Sequence, residues 1–194
     1  MPHGIGAIVI VPHTACASSC TAGTAGRQPV DLDDLMFADP ERLGEPDGLR
    51  PFFAYGRIKS MNAMFVYALA RRLGDSGVTI NACHPGIIGG TGLSREVPRL
   101  GALVREAFRS GKLPPPGPQP GGHGSARFAG FGDGPGPDVG ADTPAWLATS
   151  ADMEGVTGCF FVDRAPVETA PHTTDTERCE RLWNDSARLV GLPA

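Results

Sequence analysis

The clearest pattern of hydrophobic and polar positions lies between residues 53 and 73. Apolar residues recur there at intervals of three and four: Ile58, Met61, Phe65, Leu69 and Leu73, with alanines between them. This spacing predicts an amphipathic helix of about five turns. Two arginines, Arg71 and Arg72, occupy its last turn, where cations suit the helix dipole, and Gly74 can end it.

Three short segments predict β-strands. They are "GAIVIV" at residues 6–11, residues 78–83, where Pro85 stops the strand, and "GCFFVD" at residues 158–163. A helix followed at once by a buried strand is half of a β–α–β unit, which is typical of parallel sheets. We therefore expect residues 1–194 to form a single α/β domain with one core.

The remaining segments give weaker predictions. Residues 12–37 are small and polar and predict an irregular loop, and residues 94–111 and 141–152 predict helices, the second with Pro144 in its first turn. A C-terminal helix at 175–191 would offer four apolar side chains for packing: Leu182, Ala187, Leu189 and Val190. Residues from about 113 to 138 form an insert too rich in proline and glycine to pack regularly.

Composition excludes several classes of function. Of 194 residues, 41% are hydrophobic and 20% charged, and the net charge of -4 comes without a basic stripe, so we expect no nucleic-acid partner. No apolar run is long enough to span a membrane, and the first residues carry no positive lead, which predicts a cytoplasmic protein without a signal peptide. Five scattered cysteines predict reduced thiols, and Cys16, Cys20 and His13 lack a second ligand pair, so no metal is expected.

Tyr55 and Lys59 are the first candidates for chemistry. A spacing of four places them on one helix face, where a lysine ammonium stabilises phenolate and lowers the pKa of a tyrosine toward working pH. Such a tyrosine can exchange a proton with an alcohol or ketone oxygen. The chain has only two tyrosines and two lysines, so this spacing would arise by chance about 0.02 times. The alternative is a packed tyrosine near a solvated lysine.

The segment "AYGRIKSMNAMFVYALARRLGDSGVTINACHPG", residues 54–86, resembles the short-chain dehydrogenase/reductase superfamily. In that family Y-x-x-x-K opens a long helix, and the following strand ends in Pro-Gly about thirty residues later, as it does here. "VDLDDLMF", "GADTPAWLATSADMEGVTGCFFVD" and "ERLWNDSARLVGL" are similar to its retinol-dehydrogenase-like members. The resemblance covers most of the chain and fits the Pro/Gly-rich insert least.

The resemblance implies a Rossmann-like parallel sheet with flanking helices, an NAD(P) cofactor whose type it leaves open, and an alcohol or carbonyl substrate. It implies that Tyr55 exchanges the proton and that Lys59 lowers its pKa and binds the nicotinamide ribose. It also implies that four later residues contact the cofactor: Pro85, Gly86, Ile88 and Thr91. Tyr55 and Lys59 thus belong to both the catalytic and the cofactor-binding sets.

Two features depart from the family pattern. The strand matched by "GAIVIV" should run into a Ser-Ser pair whose second serine holds the substrate oxygen, but the matching residues are Pro12 and His13. His13 can donate a hydrogen bond and is therefore a candidate, with Thr14, Ser18 or Ser19 as possible substitutes. The strand and Gly-rich turn that hold the pyrophosphate in the first half of the fold are also absent.

Three hypotheses follow. The leading one is an NAD(P)-dependent oxidoreductase of short-chain dehydrogenase/reductase type, truncated or degenerate at its N-terminus. The second is a non-catalytic remnant that serves as an oligomerisation or interaction module through Met61 and Phe65; an uncovered strand edge at residues 6–11 favours a homo-oligomer in either case. In the third, "GIIGGTGLSRE" at 86–96, which matches G-x-x-G-x-x-G, binds a nucleotide.

Overall fold

A four-stranded sheet forms the centre of the computed structural model, which describes residues 16–20, 30–85, 99–112 and 136–193. Its strands are β1 (Cys16–Cys20), β2 (Thr79–His84), β3 (Phe160–Val162) and β4 (Ala165–Pro166), in that order across the sheet. β1 and β3 both pair with β2 in parallel, and β4 pairs with β3 in antiparallel orientation. The chain thus has a partial Rossmann-like α/β fold, as the sequence predicts.

The long helix α1 spans Arg50–Leu73. The sequence predicts its end, where Gly74 adopts a φ of +47° and donates a hydrogen bond to the Ala70 carbonyl at 3.3 Å. The helix begins three residues earlier than expected because the 3₁₀ turn Asp47–Leu49 leads directly into it and Pro51 suits its first turn.

The predicted apolar stripe of α1 is not its most buried face. Ile58 is 44% exposed, whereas Met64 and Ala68 are fully buried. The reason is tertiary: α1 is covered by the sheet on one side and by the C-terminal helix on another. Small residues such as Ala63 allow the helix to approach the sheet closely.

β2 and β3 confirm two predicted strands, whereas β1 corrects the predicted loop at residues 12–37. Cys16–Cys20 contains no β-branched residue, so its sequence gives no strand signal. Backbone pairing with β2 over five residues makes it a strand. The predicted strand at residues 6–11 lies outside the described residues.

The described residues form four more helices: α2 (Leu100–Arg109), α3 (Pro137–Thr149), the single turn α4 (Pro171–Thr174) and α5 (Thr176–Leu189). α3 contacts β1 and β2, and the other three contact α1. α2 falls within its predicted segment. α3 begins at Pro137, where the fixed φ of proline favours a first turn, so Pro144 lies inside the helix rather than in its first turn. The Pro/Gly-rich segment 113–135 lies outside the described residues.

α5 begins at Asp175, whose carboxylate accepts a hydrogen bond from the Arg178 N–H at 2.9 Å. Leu182 packs inward against α1, but Leu189 and Val190 are 59% and 70% exposed. Their predicted packing is wrong because Leu189 is the last residue of α5 and Val190 follows it, beyond the contact with α1.

The core has two layers, one on each side of the sheet. On one side, Ala63 and Val66 of α1 pack with Ile80, Ala82 and the outer residues of β3. On the other, Leu147 of α3 and Met153 pack against Cys83 and Phe161. None of the helices in the described segments is long and apolar enough to cross a membrane, and two of the cysteines described there, Cys159 and Cys179, are free thiols.

Candidate functional site

Tyr55 and Lys59 lie at the carboxyl edge of the parallel strands. The other end of α1 marks the amino edge, since a Cβ added to Gly158, just before β3, would lie 3.2 Å from the Ala70 Cβ. The amino half of α1 therefore lies beside the carboxyl ends of β2 and β3. Open α/β sheets bind ligands outside the carboxyl ends of their strands, so the pair occupies the functional edge of this fold.

The two side chains contact each other as their spacing predicts. The Lys59 Nζ lies 5.4 Å from the centre of the Tyr55 ring, within the range of a cation–π interaction. Tyr55 is half-buried, whereas Lys59 is only 8% exposed. A shielded ammonium this close to a phenol favours the charged phenolate.

The first turns of α1 are fixed by packing. Phe52 and Phe53 enter a cluster that includes Leu100 and Val104 of α2, so α2 anchors the segment that precedes Tyr55. One turn further on, the buried Ser60 hydroxyl donates a hydrogen bond to the Gly56 carbonyl at 3.2 Å. The turns of α1 that carry Tyr55 and Lys59 are therefore supported by packing before the pair and by this hydrogen bond beside it.

Tyr67, the second tyrosine, has a different environment. Burial raises its pKa, although a 2.8 Å hydrogen bond with the Thr169 hydroxyl opposes this effect. Thr169 is in turn hydrogen-bonded to Thr173 at 2.8 Å. These contacts connect α1 to α4, so Tyr67 has a structural role and Tyr55 is the better candidate for proton exchange.

An open groove of about 550 Å³ lies beside Tyr67 rather than beside Tyr55. Gly158 and Phe160 in its wall place it toward the amino edge of β3, away from the Tyr55–Lys59 pair. Its lining includes polar side chains such as Tyr67, Glu168 and Thr169, but neither Tyr55 nor Lys59 lines it. The chemistry therefore favours the carboxyl edge as the candidate site, despite this groove.

The structure reveals a serine pair that the sequence prediction did not place in a strand. Ser18 and Ser19 lie in β1, directly opposite Asn81 and Ala82 of β2. β1 is the described strand that precedes α1, which is the position of the strand leading to the Ser-Ser pair in the family. The Ser-Ser dipeptide is a sequence signal for this position, but the apolar run at residues 6–11 is the stronger strand signal and favours His13 instead.

The other predicted site residues fall largely outside the described segments. Pro85 follows β2 directly and is half-buried at the carboxyl edge. Gly86, Ile88, Thr91 and His13 lie outside the described residues, so their placement stays a prediction.

Several known proteins are similar to this chain. No family model matches the chain. Human retinol dehydrogenase 14 is 33% identical over 159 residues, which are 82% of this chain and 40% of that protein. Human retinol dehydrogenase 13 is 33% identical over 91% of this chain and 45% of its own length. A chloroplastic short-chain dehydrogenase, TIC 32 B of Brassica napus, is 33% identical over 81% of this chain and 42% of that protein.

Among solved structures, the chain is similar to an uncharacterized protein from Mycobacterium paratuberculosis. The TM-score is 0.55 at 18% identity, over 93% of this chain and 52% of the other, which supports the fold alone. The chain spans less than half the length of the curated relatives described above. The 194 residues belong to the short-chain dehydrogenase/reductase family, in which they match part of the length of the retinol-dehydrogenase-like members.

Proposed function

We propose that the chain supplies the proton-transfer half of an NAD(P)-dependent oxidoreductase acting on an alcohol or carbonyl compound. The observation that carries this proposal is the 5.4 Å contact between Lys59 and Tyr55 at the carboxyl edge of the sheet. Family membership supports the reaction class, and the names of the retinol dehydrogenase relatives suggest retinal as the first carbonyl compound to test.

The described residues fit a nicotinamide cofactor. A ribose presents vicinal hydroxyls, and a lysine ammonium with three donors beside a tyrosine hydroxyl can bind both of them. Lys59 and Tyr55 would provide this donor set, and the half-buried Pro85 that follows β2 would supply an apolar surface. When bound, the reduced cofactor would supply the hydride. Gly86, Ile88 and Thr91 are proposed as further contacts, as the family resemblance implies.

Tyr55 would exchange the proton with the substrate oxygen. During carbonyl reduction its hydroxyl donates a proton to the carbonyl oxygen while the carbonyl carbon gains the hydride, so the product is a neutral alcohol and Tyr55 is left as phenolate. Lys59 stabilises this phenolate until solvent returns the proton. Alcohol oxidation runs through the same groups in reverse.

A hydrogen-bond donor to the substrate oxygen would complete the site. We propose Ser19 for this role because it is the second residue of the serine pair in β1. His13 remains the alternative that the sequence suggested. Replacing each by alanine separates them, since only the true donor should lower kcat without changing cofactor affinity.

The test is titration of the purified chain with NADPH and NADH, followed by turnover with retinal. Wild type is expected to bind NADPH or NADH. Tyr55→Phe, which removes one ribose donor and the proton donor, should bind the cofactor more weakly and lose turnover, and Lys59→Met should weaken both cofactor binding and turnover. Tyr67→Phe is the matched control because it removes the structural tyrosine. Absence of cofactor binding, together with identical behaviour of wild type and Tyr55→Phe, would remove the enzymatic proposal for this polypeptide.

The non-catalytic oligomerisation hypothesis has less support from the described packing. Phe65 lies 5.8 Å from Trp183 between ring centres, and Met61 packs into the same cluster between α1 and α5. Both side chains therefore have partners within the chain. Changes at these positions should lower the stability of the folded chain rather than act on assembly alone.

A further inference from the structure

We propose that His84 is a positioning residue for Lys59, which it holds at the carboxyl edge so that the ammonium can act on Tyr55. This inference rests on the proposed function of the Tyr55–Lys59 pair. Its starting point is burial: His84 is 2% exposed and Lys59 is 8% exposed. Polar side chains this deeply buried are costly unless polar neighbours surround them.

The side chains of α1 that face the sheet form a row that ends at Lys59. Ala63 and Val66 pack onto β2 and β3. Lys59 lies four residues before Ala63, one turn nearer the amino end and on the same helix face. Lys59 therefore continues the contact between helix and sheet toward the carboxyl edge.

β2 presents a matching row. Ile80 and Ala82 face α1, and His84 follows on the same face because side chains alternate along a strand. Its backbone pairs with Val162, which belongs to the same cluster. His84 is thus the last residue of this row before Pro85.

The two rows advance by similar distances toward the carboxyl edge. From Ala63 to Lys59 the helix rises about 6 Å, and from Ala82 to His84 the strand advances about 7 Å. Because Ala63 and Ala82 belong to one cluster, the next members of the two rows are brought to the same level. A neutral imidazole nitrogen can accept a hydrogen bond from a lysine ammonium, which would limit its range of rotamers.

The experiment uses the full chain with Tyr67→Phe, which leaves Tyr55 as the sole tyrosine. The midpoint of its ionisation is followed by tyrosinate absorbance and needs neither cofactor nor turnover. Lys59→Gln removes the ammonium, and the upward shift that it causes in the ionisation midpoint of Tyr55 is the full effect of Lys59. We expect His84→Leu to produce about half of that upward shift or more, and His84→Asn, which keeps an acceptor, to stay closer to the parent.

A double variant distinguishes positioning from general damage. If His84 acts through Lys59, His84→Leu should add no shift in the Lys59→Gln background. Far-UV circular dichroism verifies folding, and His84→Phe, which keeps an aromatic ring without the acceptor, replaces His84→Leu if that variant does not fold. If Lys59→Gln shifts the ionisation midpoint of Tyr55 but the His84 variants leave it unchanged, this inference alone is overturned. If Lys59→Gln does not shift this midpoint, both this inference and the proposed role of the Tyr55–Lys59 pair are overturned.

Discussion

The interaction between Lys59 and Tyr55 has a size that can be worked from the structure. The Lys59 Nζ lies 5.4 Å from the centre of the Tyr55 ring. Two unit charges separated by roughly 5 Å interact by about 3 kcal/mol at an effective dielectric constant of about 20, and by about 0.8 kcal/mol in bulk water. The tyrosine is half-buried and the lysine is buried, so the effect should fall between these limits. It corresponds to a shift of about 0.6 to 2 pH units in the ionisation of Tyr55.

Replacing Lys59 by glutamine should therefore move the ionisation midpoint of Tyr55 upward. The assay is a spectroscopic pH titration of tyrosinate in the Tyr67→Phe chain, with Tyr55→Phe in the same background as the blank. Lys59→Arg, which keeps the positive charge, should restore part of the shift. If Lys59→Gln remains folded and its midpoint equals that of the parent, the two side chains are not coupled and the proposed acid–base role loses its basis.

Two further predictions concern the frame around the site. Asn81 is fully buried, its amide donates to the Val156 carbonyl at 2.8 Å, and its side-chain oxygen accepts from the Cys159 N–H at 3.0 Å. Asn81→Ala should therefore lower the free energy of unfolding, measured by urea titration, by about 2–4 kcal/mol. The control Asn62→Ala, at a half-buried position of α1, should lower it much less. Burial opposes ionisation of Glu180, but hydrogen bonds from Arg71 and Arg72 hold its pKa below the usual value. The stabilisation is thus present above the unfolded pKa and is lost as the pH falls through the lower folded value. Glu180→Gln should reduce the loss of Tm on acidification by an amount that corresponds to less than about 1 kcal/mol, and an unchanged acid slope would contradict this.

The sequence predicts the elements whose signals are local. The period of α1, its arginine-rich last turn and the terminating Gly74 are contained within one segment, and the helix ends where they indicate. β2 and β3 likewise follow local signals, since each is a short segment bounded by turn residues. The Y-x-x-x-K spacing is local too, which is why the contact of Tyr55 with Lys59 could be anticipated before the fold was known.

β4 illustrates what local signals miss. Its turn places Asp163 and Arg164 at φ values of +53° and +60°, a conformation usually given to glycine or asparagine. The Arg164 side chain pairs with Asp142 of α3, and its N–H donates to the Thr143 hydroxyl at 3.3 Å. These contacts across more than twenty residues stabilise a turn that the dipeptide alone does not favour.

The sequence by itself determined the family, the long helix and the contact between Tyr55 and Lys59, because each depends on residues that are near one another in the chain. Only the tertiary structure decided that Cys16–Cys20 is a strand, that Met64 and Ala68 rather than Ile58 form the buried face, and that His84 is buried at the end of β2. The physical reason is that a strand is completed by hydrogen bonds to its neighbour, and a helix face is chosen by what covers it. Both depend on partners distant in sequence.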